Sequence, residues 1–138
     1  MLSAAASVVF VSVGVGGLLY TSLVQRDYEK VYLPAALFLK HKAQPADLIL
    51  AGSELGFALG FDRNIVDDNS FTYVTHKEPV FIAMSNNYKE FLRSYRAKGL
   101  PVSRYFDRLL AEKYVRVYSN HGYDIFEERS TLNARKRR

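Results

Sequence analysis

From Leu2 to Val24 apolar and small residues follow one another with no polar period, and the first charge in the chain is Arg26. At about 1.5 Å of rise per residue, a helix of that length crosses the roughly 30 Å hydrocarbon layer of a bilayer. A transmembrane helix is therefore expected over residues 1–25. After Arg26 the pattern changes. Residues 28–42 read as a helix with Val31, Ala35, Phe38 and Leu39 on one stripe and Lys40, His41 and Lys42 at its carboxyl end. Pro34 is its irregularity: either a new helix begins near Leu33, or the preceding helix kinks there.

Residues 47–52 form a short apolar run bounded by turn formers, the pattern of a strand buried on both faces in a parallel sheet. Ser53 is a candidate N-cap, with Glu54 in the first turn, for a helix through about Leu59. Ile65-Val66 makes a very short strand that leads to Asp67-Asp68, and residues 80–84 make a third buried-type run. Asn87 with Glu90 three residues on resembles a capping box. Tyr88, Phe91, Leu92 and Tyr95 follow at helical spacing, and Gly99-Pro101 ends that helix. Val102, Phe106, Leu109 and Leu110 mark another helix.

Residues 113–118 then alternate, as do residues 123–128, about the turn-forming Ser-Asn-His-Gly at 119–122, which predicts a closing β-hairpin. The element order predicts an α/β fold: a single N-terminal transmembrane helix, then a small three-layer-type α/β domain with a mostly parallel sheet and a C-terminal β-hairpin. The expected divisions are the membrane helix at 1–25, the domain at 26–129 and a basic disordered tail at 130–138.

Composition narrows the classes. A secretory signal needs basic residues before its apolar stretch and small residues at its end. Here the small residues Ser3, Ala4, Ala5 and Ala6 sit at the start, so a retained anchor fits better. The chain has no cysteine, which excludes disulfides, thiolate nucleophiles and cysteine metal sites. The net charge of +5 owes four charges to Arg135, Lys136, Arg137 and Arg138, so the rest is close to neutral and no nucleic-acid partner is expected. Arg26, Lys30, Lys40 and Lys42 follow the apolar run, and the positive-inside rule alone would put the domain in the cytoplasm.

Candidate chemistry is sparse. Gly52-Ser-Glu-Leu-Gly56 follows a strand and opens a helix, but it fits neither the dinucleotide fingerprint nor a Walker loop. Asp67 and Asp68 are adjacent on an extended segment and point to opposite faces, which excludes a cooperating acid/base pair. His41, His76 and His121 are scattered without metal-ligand spacing, and no nucleophile-elbow pattern occurs. No catalytic residue, metal or cofactor is expected. The candidate ligand-binding residues are Ser53, Glu54, Asp67 and Asp68, at strand ends where α/β sheets bind ligands.

Several stretches together carry a resemblance: YLPAALFLK at 32–40, DLILAGSELGFALG at 47–60, NIVDD at 64–68, PVFIAM at 79–84, and the hairpin at 114–128. The chain resembles the C-terminal end of bacterial integral-membrane glycosyltransferases of the GT-C fold, in the family 39, dolichyl-phosphate-mannose protein mannosyltransferase-like group. That resemblance implies a last membrane helix with a small extracytoplasmic domain on the periplasmic side of the inner membrane, and a polyprenyl-phosphate-linked sugar as donor for the whole enzyme. The family's catalytic acid lies in an early loop with no counterpart here, so the implied role is an accessory domain that is not catalytic alone. Its expected partners are the lipid bilayer, other membrane helices and a glycosyltransferase membrane region. The alternative is a stand-alone single-pass membrane protein for binding or assembly, with no enzymatic role.

Overall fold

The computed structural model describes Arg26 and residues 28–60 and 64–137. The described chain opens with a π-helical turn over Tyr28–Tyr32. A separate helix, α1 (Leu33–Lys42), follows with Pro34 in its first turn, where the missing N–H leaves no bond unmade. Next come β1 (Ile49–Leu50), α2 (Ser53–Leu59), β2 (Ile65–Val66) and β3 (Phe81–Ser85). Helices α3 (Asn86–Ala97) and α4 (Pro101–Lys113) lead into the hairpin strands β4 (Tyr114–Ser119) and β5 (Tyr123–Glu128), and α5 (Arg129–Lys136) closes the fold.

A single five-stranded sheet runs in the order β2-β1-β3-β5-β4. β1 is parallel to both neighbours, with Ile49 opposite Ile65 on one side and Phe81 on the other. β3 and β5 are antiparallel, from Phe81 opposite Glu127 to Ser85 opposite Tyr123, and β4 pairs with the outer side of β5. The period-two alternation of strands sends Ile49, Phe81, Ala83, Tyr123 and Ile125 to one face, where they bury Ala35, Ala36 and Leu39 of α1 and Leu55 and Leu59 of α2. Leu50, Ile82 and Met84 face the other way, onto Tyr88 and Leu92 of α3, Phe106 and Leu109 of α4, and Phe71. Covered on both sides, β1 and β3 carry continuous apolar runs.

The expected architecture is corrected on two counts. The sheet is mixed rather than mostly parallel: β2, β1 and β3 are parallel, but the longer pairings of β3, β5 and β4 are antiparallel, because β5 folds back into the sheet between β3 and β4. Among the described residues no helix is long and apolar enough to cross a membrane. The longest, α4, has 13 residues and carries charges along its length, whereas a span needs about 20 apolar ones. The span expected over residues 1–25 lies outside the described residues.

Three local features differ from the sequence reading. The cap of α3 is Ser85, whose Oγ accepts the Tyr88 N–H at 3.3 Å, and not Asn87. Ser53 is the first residue of α2 rather than its cap; Gly52 stands at the cap position without a side chain to offer. Residues 130–136, read as part of a solvated tail, belong to α5, and Arg135 holds that helix down. Its guanidinium pairs with Asp47 at 2.5 Å and Glu127 at 2.9 Å, reaches the Lys42 carbonyl, and lies over the Phe81 ring. Glu127 is completely buried, and the Arg135 guanidinium gives its Oε1 a hydrogen-bond donor there.

The connection from β2 to β3 is unusual. Phe71, Thr72 and His76 all have positive φ, at 50°, 62° and 51°, a region that β-branched and bulky residues rarely adopt. Asp68 organises the turn: Oδ1 accepts from the Ser70 N–H and Oγ, and Oδ2 from the Thr72 N–H. The Phe71 ring is fully buried, 4.7 Å from the Phe106 ring and 5.2 Å from Tyr88, and that packing offsets the backbone strain.

Candidate functional site

The carboxyl ends of β1, β2 and β3 open on one edge of the sheet, and the amino ends of α2 and α3 start there. In a sheet whose successive parallel strands depart to either side of β1, this edge leaves a crevice between the diverging connections. Gly52, Ser53, Glu54, Asp67, Asn69, Ser85, Asn87, Tyr88 and Phe91 line it, around a cleft of about 450 Å³.

Three of the four residues expected from sequence meet at this cleft. Asp67, at the end of β2, accepts the Ser53 N–H on Oδ2 at 2.9 Å and the Tyr88 phenol on Oδ1 at 2.7 Å. The same phenol oxygen accepts the Asp68 N–H at 3.1 Å. Glu54 accepts the Tyr123 phenol at 2.9 Å, which joins α2 to the start of β5. Asp68 is the exception. Its carboxylate turns into its own loop and serves as the acceptor of that turn, so only its backbone faces the cleft network.

Electrostatics follow from these contacts. Burial, together with the bonded and negatively charged Asp67, pushes the Tyr88 hydroxyl far above its ordinary value of 10.0. Burial and then the Glu54 carboxylate do the same to Tyr123. Both phenols therefore stay neutral donors through the physiological range. For Asp68, burial acts to raise the carboxyl, but the bonds from Ser70 and Thr72 outweigh it and hold the group below its ordinary 3.8.

Sequence reasoning missed Tyr88 and Tyr123. Both stand at core-facing positions of their elements and are almost wholly buried, so they read as packing residues. The available signal was chemical: a buried tyrosine needs a partner for its hydroxyl, and two carboxylates lie at neighbouring strand ends.

The partners of these carboxylates are phenols, hydroxyls and backbone N–H groups, which fix their geometry. Asn69, Asn87 and the half-exposed Phe91 ring complete the rim. Among the described residues no cluster of three or more histidine, aspartate or glutamate side chains is placed to hold a metal ion. No family model, curated protein or solved structure matches this chain.

Proposed function

We propose that this chain is an accessory binding module of a polyprenyl-phosphate-sugar-dependent membrane glycosyltransferase, without catalytic function of its own. In this reading it works on the extracytoplasmic side of the inner membrane, and its carboxyl-edge cleft holds a sugar of the donor or acceptor. The observation that carries the reading is the composition and rigidity of that cleft. Carboxylates Glu54 and Asp67 are fixed by Tyr123 and Tyr88, amides Asn69 and Asn87 stand at the rim, and the Phe91 ring is 43% exposed beside them. A sugar ring offers vicinal hydroxyls that both donate and accept, and an apolar C–H face that rests on an aromatic ring. Carboxylate, amide and aromatic groups fixed before the ligand arrives match that pattern without an ordering cost.

The test is a titration of the full chain in detergent with methyl glycosides and sugar 1-phosphates, read by amide chemical shifts. Shifts concentrated at residues 52–54, 67 and 87 support the reading, and Asn87→Ala weakens them. Shifts elsewhere, or none with any sugar, overturn it. A C-terminal fusion to an enzyme active only outside the cytoplasm tests the side of the membrane.

A further inference from the structure

The cleft at the carboxyl edge does not end at Glu54. A smaller hollow of about 250 Å³ shares Glu54, Ser85 and Asn87 with it and continues toward Tyr32 and Gly122. The Glu54 carboxylate folds back over the end of β1, where Gly52 leaves room for it: a Cβ on residue 52 would fall 2.2 Å from Glu54 Oε2. Tyr123 holds the other oxygen, Oε1. Two carboxylates, Glu54 and Asp67, thus border this space, and among the described residues no lysine, arginine or histidine lines either hollow. Lys89, on the helix that starts here, is paired with Asp124 at 2.7 Å. The positive amino ends of α2 and α3 are answered from within the protein. The Ser53 N–H donates to Asp67, and the Tyr88 N–H donates to Ser85 Oγ.

We infer that this cleft selects its sugar by charge: it takes an uncharged sugar unit and rejects one that carries a phosphate. The inference rests on the sugar-binding reading above and narrows it to the acceptor side. An uncharged ring donates hydroxyl hydrogens to carboxylates, and such charge-assisted bonds are strong. In a sugar 1-phosphate the anion is a single bond from the ring, so it enters the cleft with it. At an ionic strength of 0.01 M the Debye length of about 30 Å exceeds the size of a sugar phosphate. The anion therefore feels both carboxylates wherever it sits in the cleft, and no cation in the lining offsets them. Like-charge contact of this kind is how a site refuses a wrong partner. Glu54 and Asp67 are then the residues that decide specificity, and the phosphate of a polyprenyl-phosphate donor is left to another part of the enzyme.

The test titrates the full chain, in an uncharged detergent, with glucose, mannose and N-acetylglucosamine, each as its methyl glycoside and as its 1-phosphate. Affinities are read from amide shifts at residues 52–54, 67 and 87, in low and in high salt. For any sugar whose glycoside binds, the 1-phosphate is expected to bind about ten-fold more weakly at low salt. High salt should narrow that gap. Glu54→Gln should narrow it too, since the amide removes a charge but still offers Tyr123 an acceptor. Inorganic phosphate alone should move none of these amides. A 1-phosphate that binds as tightly as its glycoside at low salt overturns the inference and leaves the sugar reading standing. So does a gap that neither salt nor Glu54→Gln changes, which would mean that shape, not charge, excludes the phosphate. If neither form of any sugar shifts the cleft, the sugar reading itself falls.

Discussion

The Asp67 carboxylate lies 2.9 Å from the backbone N–H of Ser53, so a side chain at the end of β2 caps the helix that follows β1. Gly52 leaves the first turn of α2 without a side-chain acceptor of its own, and Asp67 supplies one across the sheet. The anion also sits at the positive end of the helix. Tyr88 then locks Asp67 in place from α3, on the other layer. One carboxylate thus fixes how the two layers meet at the cleft.

Replacing Tyr88 with Phe tests this arrangement. The change keeps the ring but removes one donor to Asp67 and the acceptor of the Asp68 N–H. Leaving those groups unmatched is expected to cost about 1–3 kcal/mol, measured as a shift in urea midpoint with an unchanged slope. A loss close to zero would mean that water replaces the phenol without penalty.

Phe71→Ala removes the wedge that holds the left-handed turn. A fully buried Phe cut to Ala costs about 3–5 kcal/mol, and here the loop also loses what keeps its strained residues in place. Amide exchange across residues 68–76 should rise more than the global loss of stability accounts for. Uniform loosening of the whole domain would contradict that local role.

Arg135→Met strands the buried Glu127 carboxylate, a kind of disruption that costs about 3–5 kcal/mol. The pair Arg135→Met with Glu127→Met should recover part of the loss, since an apolar pair leaves no orphaned charge. Thermal melts of both single variants and the double variant give the coupling. Additive losses would show that Arg135 acts through packing alone.

Tyr88, Tyr114 and Tyr123 are all raised above the ordinary 10.0, in each case by burial first and then by neighbouring carboxylates. The neutral phenol is the form that the fold favours. Their contribution to stability is thus complete below pH 10 and is lost as pH rises beyond it. In a spectrophotometric titration these three should ionise only with unfolding, after the exposed tyrosines. Smooth ionisation of all tyrosines near pH 10 would refute their placement.

At the acid end the sign reverses. Asp68 and Asp124 are held below 3.8; burial opposes this, but Ser70 and Thr72 at the first, and Lys89 and Ser119 at the second, prevail. The stability they add is present above the ordinary carboxylate value and declines as pH falls through their lowered values. Asp68→Asn should flatten the acid limb of the stability curve, and an unchanged limb would rule out its role.

Most elements were legible because their signals are local. Residues 47–52 and 79–84 read as buried strands because both faces of β1 and β3 are covered, which leaves no polar alternation. Residues 113–128 read as a hairpin because the two alternating runs flank Asn120, whose Oδ1 accepts the N–H groups of Gly122 and Tyr123. The candidate site was legible in part. Ser53, Glu54 and Asp67 stand where strands meet helices, but Asp68 looked equivalent to Asp67 until the loop placed its carboxylate elsewhere. The basic C-terminal stretch looked solvated, since α5 buries no apolar residue and is tied down through Arg135.

By itself, then, the order of residues determined the helices and strands up to α5, because each depends on neighbours a few positions apart, and it determined the absence of cysteine chemistry. Tertiary structure alone decided the antiparallel half of the sheet, the Ser53–Asp67–Tyr88 network and the pairing of Arg135 with Glu127. Those contacts join residues that are far apart along the chain. Which partner a buried hydroxyl or carboxylate finds depends on which elements pack together, and the cost of leaving such a group unpaired is paid only once the layers have closed around it.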